Sequence, residues 1–406
     1  MSLKQLFSGD EQSGVAYKNQ HRKRRIINLL DQEGECTIPE IAQSLNLSVP
    51  TATSIVTELL EEGLIQDCGK IDSIAGRPAN LYGLASNACF FIGVDVRDDH
   101  LNIGLINFKK DLVFADLHLP YHLENSVASL DRLIDALQQF IAQPPVANKN
   151  ILSICINLTG RIHSSNGYSY SFFHFSEEPL AAVIERRIGI RTFLENDSRA
   201  MAYGEFHKGV VKNEKNVLFI NMDYGIGLGI LVDGKVYYGK SGFSGELGHI
   251  PLFNNEIICH CGKKGCLETE ASGRTLLQRF RERIAEGSVS SITRNNSDPD
   301  TLTLENIIEA ARQEDVLTIE LISEIGDKLG RGIAILINLL NPELVVLGGP
   351  LIATGDYLFL PTKFALNKYS LSLVNNDSRL CISQLGEKAG IIGSGLIARN
   401  RMISPA

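Results

Sequence analysis

The chain has 406 residues, of which 44% are hydrophobic and 21% charged, and its formal net charge is −8. This length exceeds one compact core, so two or three domains are expected, and the negative charge argues against nonspecific binding of polyanions by the whole molecule. Met1–Gly9 lacks the apolar core of a signal peptide, no run of 18 apolar residues occurs, and eight cysteines are too few for a disulfide scaffold. We therefore expect a protein of the reducing cytoplasm that does not span a membrane.

Residues 1–86 predict a winged helix-turn-helix domain. Apolar residues recur at helical spacing in Arg22–Glu33. Thr37–Glu40 has the sequence of a capping box that opens a second helix, and Ser48 is placed to cap a third helix that continues through Glu62. Two helices joined by a tight turn, the second with a small polar outer face, are typical of this DNA-binding motif.

The predicted wing consists of the strands Leu64–Asp67 and Asn80–Gly83 around a turn. Short hydroxyl side chains on the third helix would fit the major groove of DNA, and Arg77 at the wing tip would enter a minor groove. The residues expected to contact DNA are Arg22, Arg25, Ser48, Thr51, Thr53, Ser54, Thr57, Gly76 and Arg77. Residues 1–86 hold eight Lys/Arg and eleven Asp/Glu, which is unusual for a DNA reader. A three-helix module that binds protein therefore stays an alternative.

After residue 86 the chain alternates strands and helices in two similar halves, each opening with a β-hairpin. The predicted strands are Phe90–Val96, Leu101–Asn107, Leu112–Leu119, Ile151–Asn157, Arg191–Leu194, Asn216–Met222, Gly227–Val232 and Leu344–Leu347. The predicted helices are Ser129–Ile141, Leu180–Ile188, Ala200–Lys208 and Ile319–Leu340. This pattern describes a duplicated α/β fold with a cleft between two lobes.

The motifs GELGH at Gly245–His249 and CHCGKKGCLE at Cys259–Glu268 predict a metal site. Zinc favours a tetrahedron of thiolates and imidazoles, and this spacing supplies four such ligands: His249, Cys259, Cys261 and Cys266. Four protein ligands leave no open position, so the zinc would be structural. His260 is a poorer ligand because immediate neighbours rarely reach one metal with good angles. The alternative is a set of reactive or simply buried cysteines.

Two carboxylates are embedded in the same motifs. Glu246 precedes His249 by three residues, and Glu268 follows Cys266 by two. If zinc takes one ring nitrogen of His249, the other is oriented to donate a hydrogen bond. Both carboxylates and this imidazole would then form a polar cluster suited to sugar hydroxyls. The alternative is two solvated carboxylates beside a structural zinc.

From about Lys18 to Ile397 the chain resembles the ROK family of sugar kinases and sugar-responsive transcriptional repressors. The resemblance rests on the two motifs above, on LENDSRAMAYGE at Leu194–Glu205 and on INLLNPELVVLGG at Ile337–Gly349, while AGRPANLYGL in the wing matches the repressor branch. It implies an α/β, two-lobed actin-like (ribonuclease-H-like) fold after the winged helix-turn-helix. The lobes would be 87–195, joined by a returning helix at 388–400, and 196–387, which carries the zinc site. Sugar would bind between them through Gly160, Asn196, Asp197, Glu246, His249 and Glu268.

The family resemblance leaves a choice between repressor and kinase. In ROK kinases Asp197 would be the catalytic base, but phosphoryl transfer also needs loops that hold phosphates. Where kinases have Gly-Gly-Thr this chain has Arg97–Asp99, and Asp223 and Tyr224 replace the first residues of Gly-Thr-Gly-Ile-Gly. We therefore predict no catalytic residue and a sugar-responsive repressor that binds operator DNA as a homodimer or homotetramer. A sugar kinase, and a regulator whose effector is a protein or a phosphosugar, stay open as alternatives.

Overall fold

The computed structural model describes residues 6–7, 15–71, 79–293 and 301–403. Contacts divide the chain into two compact units, which we call the first and second unit. The first unit comprises Met1–Gly160, Asn166–Glu195 and Ser394–Ala406, and the second comprises Arg161–Ser165 and Asn196–Gly393. Among the described residues no helix is both long and apolar enough to cross a membrane.

From Val15 onward the described part of the first unit has the three predicted helices and the two predicted wing strands, joined by a further short strand into an antiparallel sheet. Its helices are α1 (Val15–Glu33), α2 (Ile38–Leu45) and α3 (Val49–Glu61), and its strands, in the order β1-β3-β2, are β1 (Cys36–Thr37), β2 (Ile65–Ile71) and β3 (Ala79–Leu84). Thr37 and Glu40 form the predicted capping box, and Ser48 caps α3 by accepting a hydrogen bond from the Thr51 amide. Asn46 adopts a left-handed conformation that ends α2 and makes the tight turn.

The basic run at the start of the predicted first helix has an internal role. Lys23 is buried, and its Nζ lies 2.9 Å from Glu58 Oε2 and 2.8 Å from Glu62 Oε1, which joins α1 to the end of α3. Arg25 Nη2 donates to the carbonyl of Leu45 at 3.0 Å. Part of the positive charge that the sequence places near DNA therefore stabilises the domain itself.

The rest of the first unit is a mixed sheet with helices. In the described part of the chain the strand order is β10-β7-β4-β5-β6, antiparallel for β4, β5 and β6 and parallel between β4 and β7. The strands are β4 (Phe90–Val96), β5 (His100–Asn107), β6 (Leu112–Pro120), β7 (Ile151–Leu158) and β10 (Arg191–Asn196), with β9 (Tyr168–Ser169) as a two-residue strand outside this order. The two-residue strand β8 (Ile162–His163) belongs to the second unit. The helices are α4 (Val127–Ala142) and α5 (Leu180–Ile188). Strands β4 and β7 are buried along their whole length, as apolar runs predict.

The winged module is tied to the rest of the first unit by a buried ion pair. Arg399 is 3% exposed, and its Nη2 lies 2.5 Å from Asp31 Oδ1 near the end of α1. Lys110 Nζ lies 3.0 Å from Asp31 Oδ2, and Arg399 Nε donates to the carbonyl of Phe108 at 2.9 Å. Burial raises the pKa of Asp31, but Arg399 and Lys110 outweigh it and hold that pKa below its usual value.

The second unit repeats the hairpin-first pattern. In the described residues the strand order is β13-β12-β11-β14-β15, with β14 and β15 parallel to β11. The strands are β11 (Val217–Met222), β12 (Ile226–Val232), β13 (Lys235–Val236), β14 (Leu344–Gly348) and β15 (Arg379–Ile382). The helices are α6 (Asp197–Lys208), α7 (Glu268–Ala271), α8 (Gly273–Ala285), α9 (Leu304–Arg312), α10 (Val316–Leu340), α11 (Asp356–Tyr369), α12 (Ser372–Asp377) and α13 (Ala389–Ile403). Residues up to Gly393 of this last helix belong to the second unit, and those from Ser394 onward belong to the first.

The predicted elements are present, with shifted ends where a cap lies outside the apolar pattern. Helix α10 begins at Val316 rather than Ile319, because Asp315 accepts a hydrogen bond from the Thr318 amide and caps it. Helix α6 begins at Asp197 rather than Ala200, because Asn196 caps it by accepting from the Arg199 amide at 3.2 Å. Asp197 is therefore the first residue of this helix and not its cap.

Candidate functional site

Four side chains of the second unit form a group that could hold a metal ion: His249, Cys259, Cys261 and Cys266. Their ligand atoms all lie within 4.8 Å of one another. His249 Nδ1 is 3.6 Å from Cys259 Sγ, and Cys261 Sγ is 3.7 Å from Cys266 Sγ. Zinc–sulfur bonds of about 2.3 Å place two tetrahedral sulfur ligands about 3.8 Å apart, whereas a disulfide needs about 2.05 Å. The spacing fits four ligands around one ion and does not fit a disulfide.

Glycines allow the chain to turn between these ligands. Gly265 has φ +73°, and a Cβ there would lie 2.1 Å from the carbonyl oxygen of Phe253. Gly262 has φ +84° and donates its amide to the carbonyl of Cys259 at 2.8 Å. Any other residue would be strained at both positions, and at Gly265 it would also clash. Glycine is therefore required at both positions of the turn.

The thiols of this group are not all ready to bind a cation as they stand. Burial, together with a hydrogen bond to Cys261, raises the pKa of Cys266 to about 12. A thiol with this pKa is protonated at neutral pH, and a thiolate is what metals bind. Binding of a metal ion by these thiols would release protons, and its affinity would then depend on pH.

The carboxylate of Glu268 lies in a narrow slot beside the metal-ligand group. Its Oε2 accepts a hydrogen bond from the Ile226 amide at 3.2 Å, and its Oε1 lies 2.8 Å from His260 Nδ1. A Cβ at Gly225 would lie 2.9 Å from Oε2, and a Cβ at Gly248 would lie 3.2 Å from it. The lack of side chains at the two glycines therefore makes room for this carboxylate.

The predicted cluster of His249 with two carboxylates is present in part. His249 Nε2 is 3.8 Å from Glu246 Oε2. Ligand atoms of His249, His260 and Glu268 also lie within 4.8 Å of one another, and the two imidazole rings meet edge to face at 5.0 Å. Sequence reasoning considered His260 only as a metal ligand and missed its pairing with Glu268.

Asp197 is surrounded by hydrogen-bond donors at the start of α6. Its Oδ1 accepts from Asn196 Nδ2 at 2.9 Å and from the Ser198 amide at 2.7 Å, and its Oδ2 accepts from Asn221 Nδ2 at 3.4 Å. These donors hold the carboxylate in one orientation at the start of α6.

The start of β12 connects this carboxylate with Glu268. A Cβ at Gly227 would lie 1.9 Å from Ser198 Oγ, next to Asp197, while the amide of the preceding Ile226 binds Glu268. Asp197 and Glu268 therefore flank one turn of the second unit.

The sixth residue predicted to bind sugar, Gly160, belongs to the first unit. It has φ +88°, and a Cβ there would lie 2.3 Å from Ser171 Oγ of the same unit. The structure explains why glycine is needed at this position, and its part in sugar binding stays a prediction.

The outer face of α3 carries the hydroxyl side chains that the sequence predicts. Ser48, Thr53, Ser54 and Thr57 are exposed and Thr51 is half-buried. The Thr53 and Thr57 hydroxyls donate to the carbonyls four residues earlier, both at 2.9 Å, and keep their lone pairs for outside donors. Arg22 is exposed, whereas Arg25 is half-buried. The predicted contacts Gly76 and Arg77 lie outside the described residues.

The model of the ROK family matches residues 91–401, which is more than half of the chain. The chain belongs to the ROK family. A second model, described as a winged helix-turn-helix DNA-binding domain, matches residues 20–66. Together the two matches confirm the predicted family and the predicted order of domains.

The relatives of this ROK-family chain include named transcription regulators. It is 29% identical over 357 residues to a putative xylose repressor of Caldicellulosiruptor sp. strain Rt8B.4, covering 87% of this chain and 89% of the relative. It is 28% identical over 377 residues to the DNA-binding transcriptional dual regulator NagC of Escherichia coli K12, covering 92% and 91%.

Solved structures confirm the predicted actin-like fold class. A ROK-family transcriptional regulator, described as a homologue of the E. coli MLC protein, is 27% identical with a TM-score of 0.79, covering 95% of this chain and 97% of the other. A ROK-family glucokinase from Streptomyces griseus, in complex with glucose and AMPPNP, is 25% identical with a TM-score of 0.66, covering 77% and 99%. The fold is thus shared with a regulator along 95% of this chain and with a kinase along 77% of it.

The loops that would hold phosphates in a ROK kinase are occupied by polar side chains here. Asp223 accepts from the Tyr224 amide at 2.7 Å. The Tyr224 hydroxyl lies 3.5 Å from the Leu304 amide, at the start of α9. In the first unit Asp99 Oδ1 pairs with His100 Nδ1 at 2.6 Å.

Proposed function

We propose that this protein is a transcriptional repressor whose affinity for operator DNA changes when a sugar binds its second unit. The observation that carries the proposal is the combination in one chain of an exposed, well-capped helix-turn-helix face with the carboxylate and imidazole cluster of a ROK domain. A regulator along whose structure 95% of this chain aligns supports it. The relatives described as a putative xylose repressor and as NagC favour a role in regulating carbohydrate utilisation.

The DNA partner would be read by α3 in the major groove and by the wing. One winged helix covers one half-site, and operators are usually read as two half-sites by a symmetric dimer. We therefore propose a homodimer or homotetramer in the cytoplasm. The exposed hydroxyls of Thr53, Ser54 and Thr57 would accept from base edges or meet phosphates.

The sugar would be held by acceptors and donors of the second unit. Asp197 and Glu268 are charged acceptors on either side of the start of β12, and Asn196, Glu246 and His249 supply further polar groups. Hydrogen bonds from sugar hydroxyls to charged acceptors are each worth about 1.5–3 kcal/mol. A sugar that prefers one conformation by ~100-fold supplies about 2.7 kcal/mol of coupling to DNA affinity.

We further propose that the ion is Zn²⁺, held by His249, Cys259, Cys261 and Cys266. A bound Zn²⁺ with four protein ligands supplies rigidity and no open coordination position. It would fix His249 and the segment from Cys259 to Glu268, and thereby the side chains that face the sugar. Cys261 is the most accessible of the three cysteines and Cys266 is fully buried, so the ion would join a partly exposed ligand to a buried one.

We propose no sugar kinase activity, although Asp197 is retained and would be the base in that case. Asp98, Asp99 and Asp223 place negative charge where triphosphate would lie, and Tyr224 fills space beside α9. An effector that is a protein or a phosphosugar is the remaining alternative.

The experiment that tests the function uses the purified chain and the DNA upstream of its own gene. Binding is measured by mobility shift, alone and with D-xylose, D-glucose, D-mannose, N-acetyl-D-glucosamine and the 6-phosphates of the hexoses. The proposal expects a specific complex whose affinity changes with one unphosphorylated sugar. A response to a phosphosugar alone would favour the alternative, and no specific DNA complex would contradict the proposal.

A further inference from the structure

His260 has a contact that the metal site does not explain. Its side chain is 54% exposed, yet its Nδ1 lies 2.8 Å from Oε1 of Glu268, whose side chain is only 10% exposed. The same Nδ1 is 3.9 Å from Cys259 Sγ, which is too long to compete. Glu268 is therefore the partner of this imidazole.

The protonation of this pair follows from its chemistry. An ionised carboxylate can only accept hydrogen bonds, so the proton of a neutral imidazole must lie on Nδ1. The pair is thus a directed N–H to carboxylate hydrogen bond.

Glu268 has few ways to move within its slot. Gly225 and Gly248 approach it from two sides, and the Ile226 amide holds Oε2. The contact of His260 with Oε1 therefore decides how the carboxylate is rotated about its last bond. The backbone of His260 lies between Cys259 and Cys261, so an ion on these two cysteines would hold the imidazole in place as well.

We propose that His260 is a positioning residue for the effector site, which orients the Glu268 carboxylate to accept a hydrogen bond from the sugar. This inference rests on the proposed function, in which Glu268 binds a sugar hydroxyl. The metal-ligand group then acts on the sugar through two imidazoles, through His249 directly and through His260 by way of Glu268.

The test compares three substitutions of His260 that differ in where the side chain offers a hydrogen-bond donor. His260→Asn places an amide N–H near the position of Nδ1, whereas His260→Gln places it near Nε2, and His260→Ala removes it. Lys263→Ala, an exposed change in the same loop, is the matched control. The ligand is the compound from the sugar and sugar-phosphate panel above that raises the melting temperature of the wild-type chain most. Its dissociation constant from the full chain of each variant is measured by calorimetry. Zinc content is measured by elemental analysis for every variant.

The proposal expects His260→Ala and His260→Gln to weaken binding by about 3- to 10-fold, the range of one neutral hydrogen bond. His260→Asn should recover most of the affinity, and all variants should keep the zinc content of the control. In a protein that already carries Glu268→Gln, His260→Ala should weaken sugar binding by less than about a further 2-fold. The effects of two groups that act together are not additive.

Three outcomes separate the inference from the function on which it rests. If Glu268→Gln weakens binding and the His260 variants do not, the inference is overturned and the proposed function stands. If His260→Asn is as weak as His260→Ala, or if zinc is lost with affinity, His260 serves only the loop structure and the inference is overturned. If no compound of the panel binds the wild type, or Glu268→Gln binds normally, the proposed sugar site itself fails, and the inference with it.

Discussion

Substitution of Asp31 by asparagine removes the carboxylate that joins the winged module to Arg399 and Lys110. Arg399 is 3% exposed, and the substitution takes away the carboxylate that balances its charge, while its Nε still donates to the Phe108 carbonyl. Breaking a buried ion pair from one side costs about 3–5 kcal/mol, and we take the low end, about 3 kcal/mol, because Asp31 is itself 20% exposed. At about 2–4 °C per kcal/mol this corresponds to a fall in melting temperature of about 6–12 °C.

The effect of Asp31→Asn should depend on pH in a defined direction. The folded pKa of Asp31 is lowered, so its ionisation stabilises the fold above the unfolded pKa of about 3.9, and this contribution is lost as the pH falls through the folded value. The difference between wild type and variant should therefore be complete at pH 7 and shrink below about pH 4.

The assay is thermal and urea unfolding of both proteins at several pH values. Glu178→Gln breaks an exposed pair with Arg186 and is the control, which should leave the midpoint unchanged. Equal midpoints for wild type and Asp31→Asn at pH 7, or a difference that grows as the pH falls, would refute the reasoning.

Three further predictions concern the metal, the DNA face and catalysis. Cys261→Ser should lower zinc from one per chain to well below one and lower the melting temperature; metal content unaffected by this change would remove zinc from the account. Thr53→Ala should weaken operator binding by about 1–3 kcal/mol, as Arg77→Ala should, while Ser44→Ala on α2 should not; mobility shifts at fixed salt measure this, and unchanged affinity would move the contacts elsewhere. A coupled assay should show no sugar-dependent ATP turnover, and rates near the kinase range of roughly 1–100 per second would contradict the repressor assignment.

Local signals made most of the fold predictable. Strand Phe90–Val96 and helix Leu180–Ile188 have the predicted ends, because each is bounded by polar or turn residues next to its apolar run. The Thr37 capping box is likewise a contact between near neighbours. By contrast, helices α8, α9 and α11 were not among the predicted elements. Each packs against α10, and with 13, 9 and 14 residues each offers only a few turns in which an apolar period can be recognised.

The candidate site was predictable only as far as ligands and carboxylates cluster in the sequence. The spacing of His249 and the three cysteines identifies the metal-ligand group, which the structure assembles. The pairing of His260 with Glu268 could not be predicted, since it depends on Gly225, which lies far from both in the sequence and shapes the slot. Nor does the sequence show that Asn196, rather than Asp197, caps α6, because both residue types are good caps.

The central claim is that sugar bound by Asp197 and Glu268 changes operator affinity. The direct measurement is titration of labelled operator DNA with the cognate sugar, followed by fluorescence anisotropy, for wild type, Asp197→Asn and Glu268→Gln. Because Asn196 is the cap of α6, Asp197→Asn should fold and bind DNA, while its response curve shifts by roughly ten- to a hundredfold. A wild-type response from both variants would contradict the account and place the effector elsewhere.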